Sequence, residues 1–122
     1  MQPKDLIKHS IEAQKRAKAP YSNYKVGAAL LTKTGEIILG CNVESKAYPT
    51  TMCAERVAIF SALAQGHSQF NALAIVTEDG GSPCGSCRQI IFEYAPNAEI
   101  YVSDNNGNYK TYTIHDLLPH PF

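Results

Sequence analysis

The 122-residue chain carries 11 Lys and Arg against 11 Asp and Glu, a formal net charge of zero, with the charges scattered and no basic stripe. Nucleic acid and anionic membrane surfaces therefore find no electrostatic footprint on it, and small neutral partners fit better. Met1 to Lys8 lacks the apolar core of a signal peptide, no stretch approaches the roughly 20 apolar residues of a membrane span, and the length predicts one domain, residues 1–122, in the cytoplasm.

From Pro3 to Lys18, residues Leu6, Ser10, Ala13 and Ala17, with Ile7 and Ile11, recur at helical spacing among Lys and Glu. This predicts an amphipathic helix ended by Pro20. Val26 to Leu31 reads as a strand, Thr34-Gly35 as a turn and the apolar run from Ile37 as the returning strand of a hairpin. From Cys53 to Gln65 almost no polar face is left, which predicts a helix buried nearly all round and stopped at Gly66. Leu73 to Val76 is short, apolar and unalternating, as in a strand covered on both faces. Gly85 to Tyr94 predicts a further helix, Ile100 to Val102 a strand, Asn105-Asn106-Gly107 a turn and Tyr109 to Thr113 another strand. Thr113 with Asp116 forms a capping box for a short last helix before Pro119. The order αββαβαββα predicts an α/β sandwich around a mixed sheet.

In a reducing compartment 4 cysteines are metal ligands or packed thiols rather than a disulfide framework. Cys53-Ala54-Glu55-Arg56 and Pro83-Cys84-Gly85-Ser86-Cys87-Arg88 each sit where a loop meets a predicted helix start. Unpaired N–H groups and the positive end of the helix dipole lower thiol pKa values there, which favours thiolate ligands. Cys53, Cys84 and Cys87 thus make a three-ligand zinc site, and the open fourth position, characteristic of catalytic zinc, is where water becomes a nucleophile. Glu55 need not be a ligand and is placed to take a proton from that water and return it to the substrate. Arg56 and Arg88 are placed to donate hydrogen bonds to the sulfurs and offset the charge of three thiolates.

Other readings of the same residues exist. Cys84-x-x-Cys87 as a redox pair lacks an early βαβ context. A closed four-cysteine site including Cys41 would make the protein a noncatalytic, zinc-stabilised binding module, although Cys41 lies in an apolar strand where a small packed thiol is the ordinary explanation. Glu55 alone would be a favourable carboxylate at a helix start. A polynucleotide editor is disfavoured by the neutral charge.

At this point the chain resembles the small, Cys₃-zinc cytidine deaminases over nearly its whole length. The resemblance rests on Ala19-Pro20-Tyr21-Ser22, Val26-Gly27-Ala28-Ala29, Gly40-Cys41-Asn42-Val43-Glu44, Cys53-Ala54-Glu55-Arg56, Pro83-Cys84-Gly85-Ser86-Cys87-Arg88-Gln89 and Leu117-Leu118-Pro119 to Phe122. It implies a three-layer α/β/α sandwich with a mixed sheet of about five strands. It also implies one Zn²⁺ per subunit, a homotetramer with shared active sites, and deamination of cytidine and 2′-deoxycytidine to the uridines in pyrimidine salvage. The resemblance further implies that Asn42 and Glu44 bind the ribose 3′-hydroxyl, that Ala54 and Glu55 contact the base, and that Tyr24 sits by the pyrimidine. Phe122 would reach a neighbouring subunit's site, and so would Tyr48. Deaminases of modified cytosine nucleosides such as blasticidin S share the two cysteine motifs and are the nearest alternative. The chain departs from the family pattern in Ser45, where Asn is usual, in Tyr24, where Phe is common, and in Pro49 within the loop before Cys53. The low charged fraction and the apolar Leu117-Leu118-Pro119 tail also predict association.

Overall fold

The computed structural model describes residues 1–122. Helix α1 covers Pro3–Gln14 and buries Leu6, Ile7, Ser10 and Ala13. It stops short of the predicted Lys18 because the backbone there is committed elsewhere: the Lys18 N–H donates to the Asn42 carbonyl at 2.9 Å and the Lys18 carbonyl accepts from the Glu44 N–H at 2.8 Å. The chain then forms the hairpin β1 (Gly27–Thr32) and β2 (Ile37–Cys41), with Gly35 at φ 92° in the turn, where a residue without Cβ is favoured. A single 3₁₀ turn, Tyr48–Thr50, precedes α2 (Ala54–Ala64). Strand β3 (Phe70–Val76), helix α3 (Gly85–Tyr94), strands β4 (Glu99–Ser103) and β5 (Tyr109–Tyr112) and the short α4 (Ile114–Leu117) complete the order. Thr113 and Asp116 make the predicted capping box of α4.

The five strands form one sheet in the order β2-β1-β3-β4-β5. The β3–β4 pair is parallel and the other pairs are antiparallel, so the sheet is mixed as expected. Alternate residues of β3 serve opposite layers. Leu73 and Ile75 join the larger core with α2, α3 and α4, and Ala72, Ala74 and Val76 join a smaller one with Leu6 and Ile7 of α1. This is the three-layer sandwich.

Two close approaches set the spacing of the layers. A Cβ on Gly27 would lie 1.9 Å from the Ser10 carbonyl oxygen of α1, and a Cβ on Gly40 would lie 2.3 Å from the Ala54 carbonyl oxygen and 2.7 Å from the Ala58 nitrogen of α2. The face that α2 lays over Gly40 is correspondingly small: Ala54, Ala58 and Ala62 are fully buried. The opposite face is where the structure departs from the expectation of all-round burial. Phe60 is exposed and Val57 only half-buried, while Leu63, also half-buried, packs against the large core. The tail differs in the other sense: Leu117 is buried in the large core and Leu118 packs against it, so this apolar run is covered by its own subunit.

Gly40→Ala should cost about 2–3 kcal/mol by urea unfolding, because its methyl group meets backbone rather than a movable side chain. An unchanged midpoint would show that α2 can lift off β2 freely.

Candidate active site

Cys53 and Cys84 are the N-cap residues of α2 and α3, both with extended backbone (φ −76°, ψ 152° and φ −67°, ψ 166°). The first bonds of each helix return to them, from the Val57 N–H to the Cys53 carbonyl and from the Arg88 N–H to the Cys84 carbonyl, each at 3.0 Å. Cys87 lies one turn into α3 and is fully buried, whereas Cys84 is exposed and Cys53 intermediate. The two helix starts bring the sulfurs together. Cys53 Sγ and Cys84 Sγ are 3.8 Å apart, Cys84 Sγ and Cys87 Sγ 3.5 Å, and all three lie within 4.8 Å of one another. A tetrahedral zinc with sulfurs at about 2.3 Å places them about 3.8 Å from each other, so the donor set and its spacing fit Zn²⁺. Cys41 and Glu55 do not join the cluster. The closed four-cysteine arrangement is therefore absent.

The electrostatics are those of an anion-gathering helix end. A hydrogen bond from Cys87 and the Arg56 guanidinium pull the Cys53 thiol down to about 5 against the opposing effect of burial. Holding the shared proton toward Cys53 pushes the Cys87 thiol up. Arg56 Nη2 donates to Cys53 Sγ at 3.2 Å, as expected, while its buried Nε has no partner. Arg88 does not follow the expectation of bonding to sulfur. Its Nε donates to the Pro83 carbonyl at 2.7 Å, Nη1 to the Leu117 carbonyl at 2.7 Å and Nη2 to Ser82 Oγ at 3.0 Å. Three carbonyl and hydroxyl acceptors fix a planar guanidinium better than a distant sulfur, and Arg88 thereby ties the Pro83-Cys84 turn to the C-terminal segment. Glu55 is 4 % exposed, and burial, aided by the charge of Cys53, raises its carboxyl above the ordinary range.

A cleft of about 280 Å³ opens over this cluster. Cys53, Ala54, Glu55 and Cys84 line it together with Tyr24, Asn42 and Glu44, and Ser22, Met52, Thr77, Gly81 and Pro83 are among the other wall residues. Asn42 is buried and fastened at both ends of its amide. Its Oδ1 accepts from the Val26 N–H at 2.9 Å and its Nδ2 donates to the Tyr24 carbonyl at 2.8 Å, leaving one N–H and one lone pair free. Glu44 is half-exposed. Its Oε1 accepts from the Tyr21 and Ser22 N–H groups at 3.0 and 3.1 Å, and its other oxygen accepts from the Ser22 hydroxyl. The Ser22 hydrogen bonds hold the Glu44 carboxyl below its usual range, so it is ionised.

Two expected residues lie outside the cleft of their own chain. Tyr48 is 77 % exposed and lines a neighbouring depression with Tyr21, Ser22, Glu44 and Thr51. Phe122 is fully exposed and borders a different hollow, with Arg56, Phe60 and Ile90, where its N–H donates to Gln89 Oε1 at 3.2 Å. Sequence reasoning missed Ser22, Met52, Thr77 and Gly81. The signal for Thr77 and Gly81 was an acidic, glycine-rich loop directly after a buried strand that pairs in parallel, the end of a sheet where ligands bind.

The model of the cytidine and deoxycytidylate deaminase zinc-binding region matches residues 1–103. A cytidine deaminase of Sporosarcina psychrophila is 43% identical over 125 residues, covering 100% of this chain and 92% of that protein. A blasticidin-S deaminase of Bacillus cereus is 37% identical over 108 residues, covering 80% of this chain and 76% of that protein. The crystal structure of a cytidine deaminase from Burkholderia pseudomallei superposes with a TM-score of 0.96 at 44% identity, with 100% of both chains covered.

Metal analysis of purified variants checks the donor set. Cys41→Ser should keep one zinc per chain and Cys84→Ser should lose it. Loss of metal from the Cys41 variant would reinstate a four-sulfur site.

Proposed function

The chain belongs to the cytidine and deoxycytidylate deaminase zinc-binding family, and on that premise we propose that it hydrolyses the exocyclic C–N bond of cytidine and 2′-deoxycytidine, giving the uridines and ammonia. The observation that carries this reading is the shared cleft: a buried carboxylate, Glu55, lines it with Cys53 and Cys84, and Asn42 and Glu44 line it too.

Cys53, Cys84 and Cys87 would hold the Zn²⁺, which when bound supplies Lewis acidity that lowers the pKa of water. Glu55 takes a proton from the attacking water as its oxygen adds to C4 of the base. It passes that proton to the ring nitrogen, takes a second from the new C4 hydroxyl and hands it to the departing amine, so the C4 carbonyl forms as the C–N bond breaks and ammonia leaves. Arg56 offsets the charge of the sulfurs through its bond to Cys53. Arg88 keeps the Pro83-Cys84 turn in place. Ala54 and Tyr24 bound the base, and the free N–H of Asn42 with the Glu44 carboxylate receives the sugar 3′-hydroxyl. An ionised Glu44 repels a phosphate at the same end, which favours free nucleosides over nucleotides.

The working form on this reading is a homotetramer in which Phe122 and Tyr48 of one subunit complete a neighbour's cleft. Supporting it, Phe122, Tyr48 and Phe60 are large exposed side chains, and the first two do not reach the cleft of their own chain. A cytoplasmic location fits 4 unpaired cysteines and the finding that no helix is long and apolar enough to cross a membrane. A modified cytosine nucleoside such as blasticidin S is the second reading, favoured by the Bacillus cereus relative.

Glu55→Gln should keep one zinc and the wild-type melting curve yet lose about 10²- to 10⁴-fold in turnover, read as ammonia release from cytidine. Normal turnover in that variant would remove Glu55 from the chemistry. In the same assay the wild type should prefer cytidine to blasticidin S, and the reverse order selects the second reading. Light scattering should give four subunits, and deleting Phe122 should lower kcat/KM with the subunit still folded. Wild-type kinetics and mass in the deletion would argue against shared sites.

A further inference from the structure

The loop between β3 and α3 does more than deliver Cys84. Its first residues wrap around one carboxylate: Asp79 Oδ1 accepts from the Tyr24 hydroxyl at 2.5 Å, from Thr77 Oγ1 at 3.2 Å and from the Gly81 N–H at 3.1 Å. The Gly81 N–H is shared with Thr77 Oγ1 at 2.8 Å. Position 81 leaves no room for a side chain in this arrangement, since a Cβ there would lie 2.8 Å from the Tyr24 hydroxyl and 3.3 Å from Asp79 Oδ1. A phenolic hydroxyl, a carboxylate and a missing side chain therefore interlock. Tyr24, Thr77 and Gly81 line the cleft, whereas Asp79 is exposed and stands behind them.

Tyr24 needs such an anchor. It lies outside regular structure, between α1 and β1, and follows Asn23, whose φ of 56° is in the left-handed region. Its backbone is held by Asn42 through the Tyr24 carbonyl, but the far end of the ring is held by Asp79. An unanchored ring would lose rotational freedom on receiving a ligand, and that cost appears as weaker binding.

We propose that Asp79 is a positioning residue for the pyrimidine. Through the Tyr24 hydroxyl it fixes the ring that bounds the base, while the Gly81 N–H keeps its shorter bond, 2.8 Å, to Thr77 Oγ1 whether or not the carboxylate is there. The proposal rests on the cytidine reading. It also makes Tyr24 and Asp79 an energetic pair: with phenylalanine at position 24 the carboxylate has no hydroxyl to hold, and its removal loses its effect on binding. Glu55 and the sulfur cluster belong to the starts of α2 and α3, so the chemical step is largely spared.

The test is a double-mutant cycle with D79A, D79N, Y24F and Y24F/D79A, reading kcat and KM for cytidine and the calorimetric Kd of the product uridine. D79A should raise KM and the uridine Kd about tenfold with kcat within about threefold. D79N, whose amide oxygen still accepts from the hydroxyl and from the Gly81 N–H, should stay within about threefold of wild type. In the Y24F background D79A should add less than about twofold. Equal losses from D79A in both backgrounds, or a D79A protein with a lowered melting temperature and unchanged KM and Kd, would overturn the role. Should D79A misfold, D79S, too short to reach the hydroxyl, must show the same loss, and a wild-type uridine Kd in it also overturns the role. A wild type that binds neither cytidine nor uridine would fail the nucleoside reading itself, whereas binding with uncoupled variants fails the positioning role alone.

Discussion

The close seating of α2 on the hairpin is the constraint on which the site depends. With no Cβ at Gly40 and only methyl groups at Ala54, Ala58 and Ala62, the helix axis comes down onto the backbone of β2. Its N-terminus is thereby set at the depth where Cys53 meets Cys84 and Cys87, and Glu55, one residue into the first turn, is carried below the surface. A larger residue at any of these four positions would move the carboxylate and the sulfur together. Metal chemistry tolerates little of that, since ligand atoms must converge within tenths of an ångström.

Convergence of two helix N-termini then explains the electrostatics. Unpaired N–H groups and aligned peptide dipoles make both helix starts favourable for anions, so three thiol groups can gather where isolated thiolates would repel. Arg56 supplies a full positive charge at one sulfur, and Arg88 works structurally by stitching the Pro83-Cys84 turn to Leu117. The other side of the cleft is equally preformed. Asn42 and Glu44 spend part of their hydrogen-bonding capacity on the backbone of residues 21 to 26, which holds that loop open to a ligand.

Element order, the doubly covered β3, the α4 capping box and the cysteine cluster were legible in the sequence because each has a local signature: period, cap chemistry or spacing. What was illegible depends on partners distant along the chain. The end of α1 is decided by Lys18 pairing with residues 42 and 44. The all-apolar α2 reads as buried all round, yet leaves Phe60 uncovered, since composition does not tell a face packed on its own sheet from one left for another molecule. Arg88 follows a ligand as directly as a sulfur-binding arginine would, but the Pro83 carbonyl, Ser82 and the returning Leu117 carbonyl redirect it. Asp79 had no motif around it, because its meaning comes from Tyr24, which is far away in sequence.

Net charge and site charge tell different stories. Summed over the chain the charges cancel, which excludes a polyanion but says little about selection among small molecules. Locally, Glu44 lines the cleft and Asp79 stands behind its wall, each carboxyl held below its usual range by donated hydrogen bonds, from Ser22 in the first case and from Tyr24 in the second. Such carboxylates stay ionised where an isolated one would begin to protonate, so the approach to the cleft stays negative through the mildly acidic range. On the proposed nucleoside reading, a neutral sugar with hydroxyl donors suits that arrangement and a phosphorylated one would meet like charge. Discrimination of this kind resides in the placement of a few hydrogen-bonded carboxylates, which is why a chain of zero net charge can still select by charge.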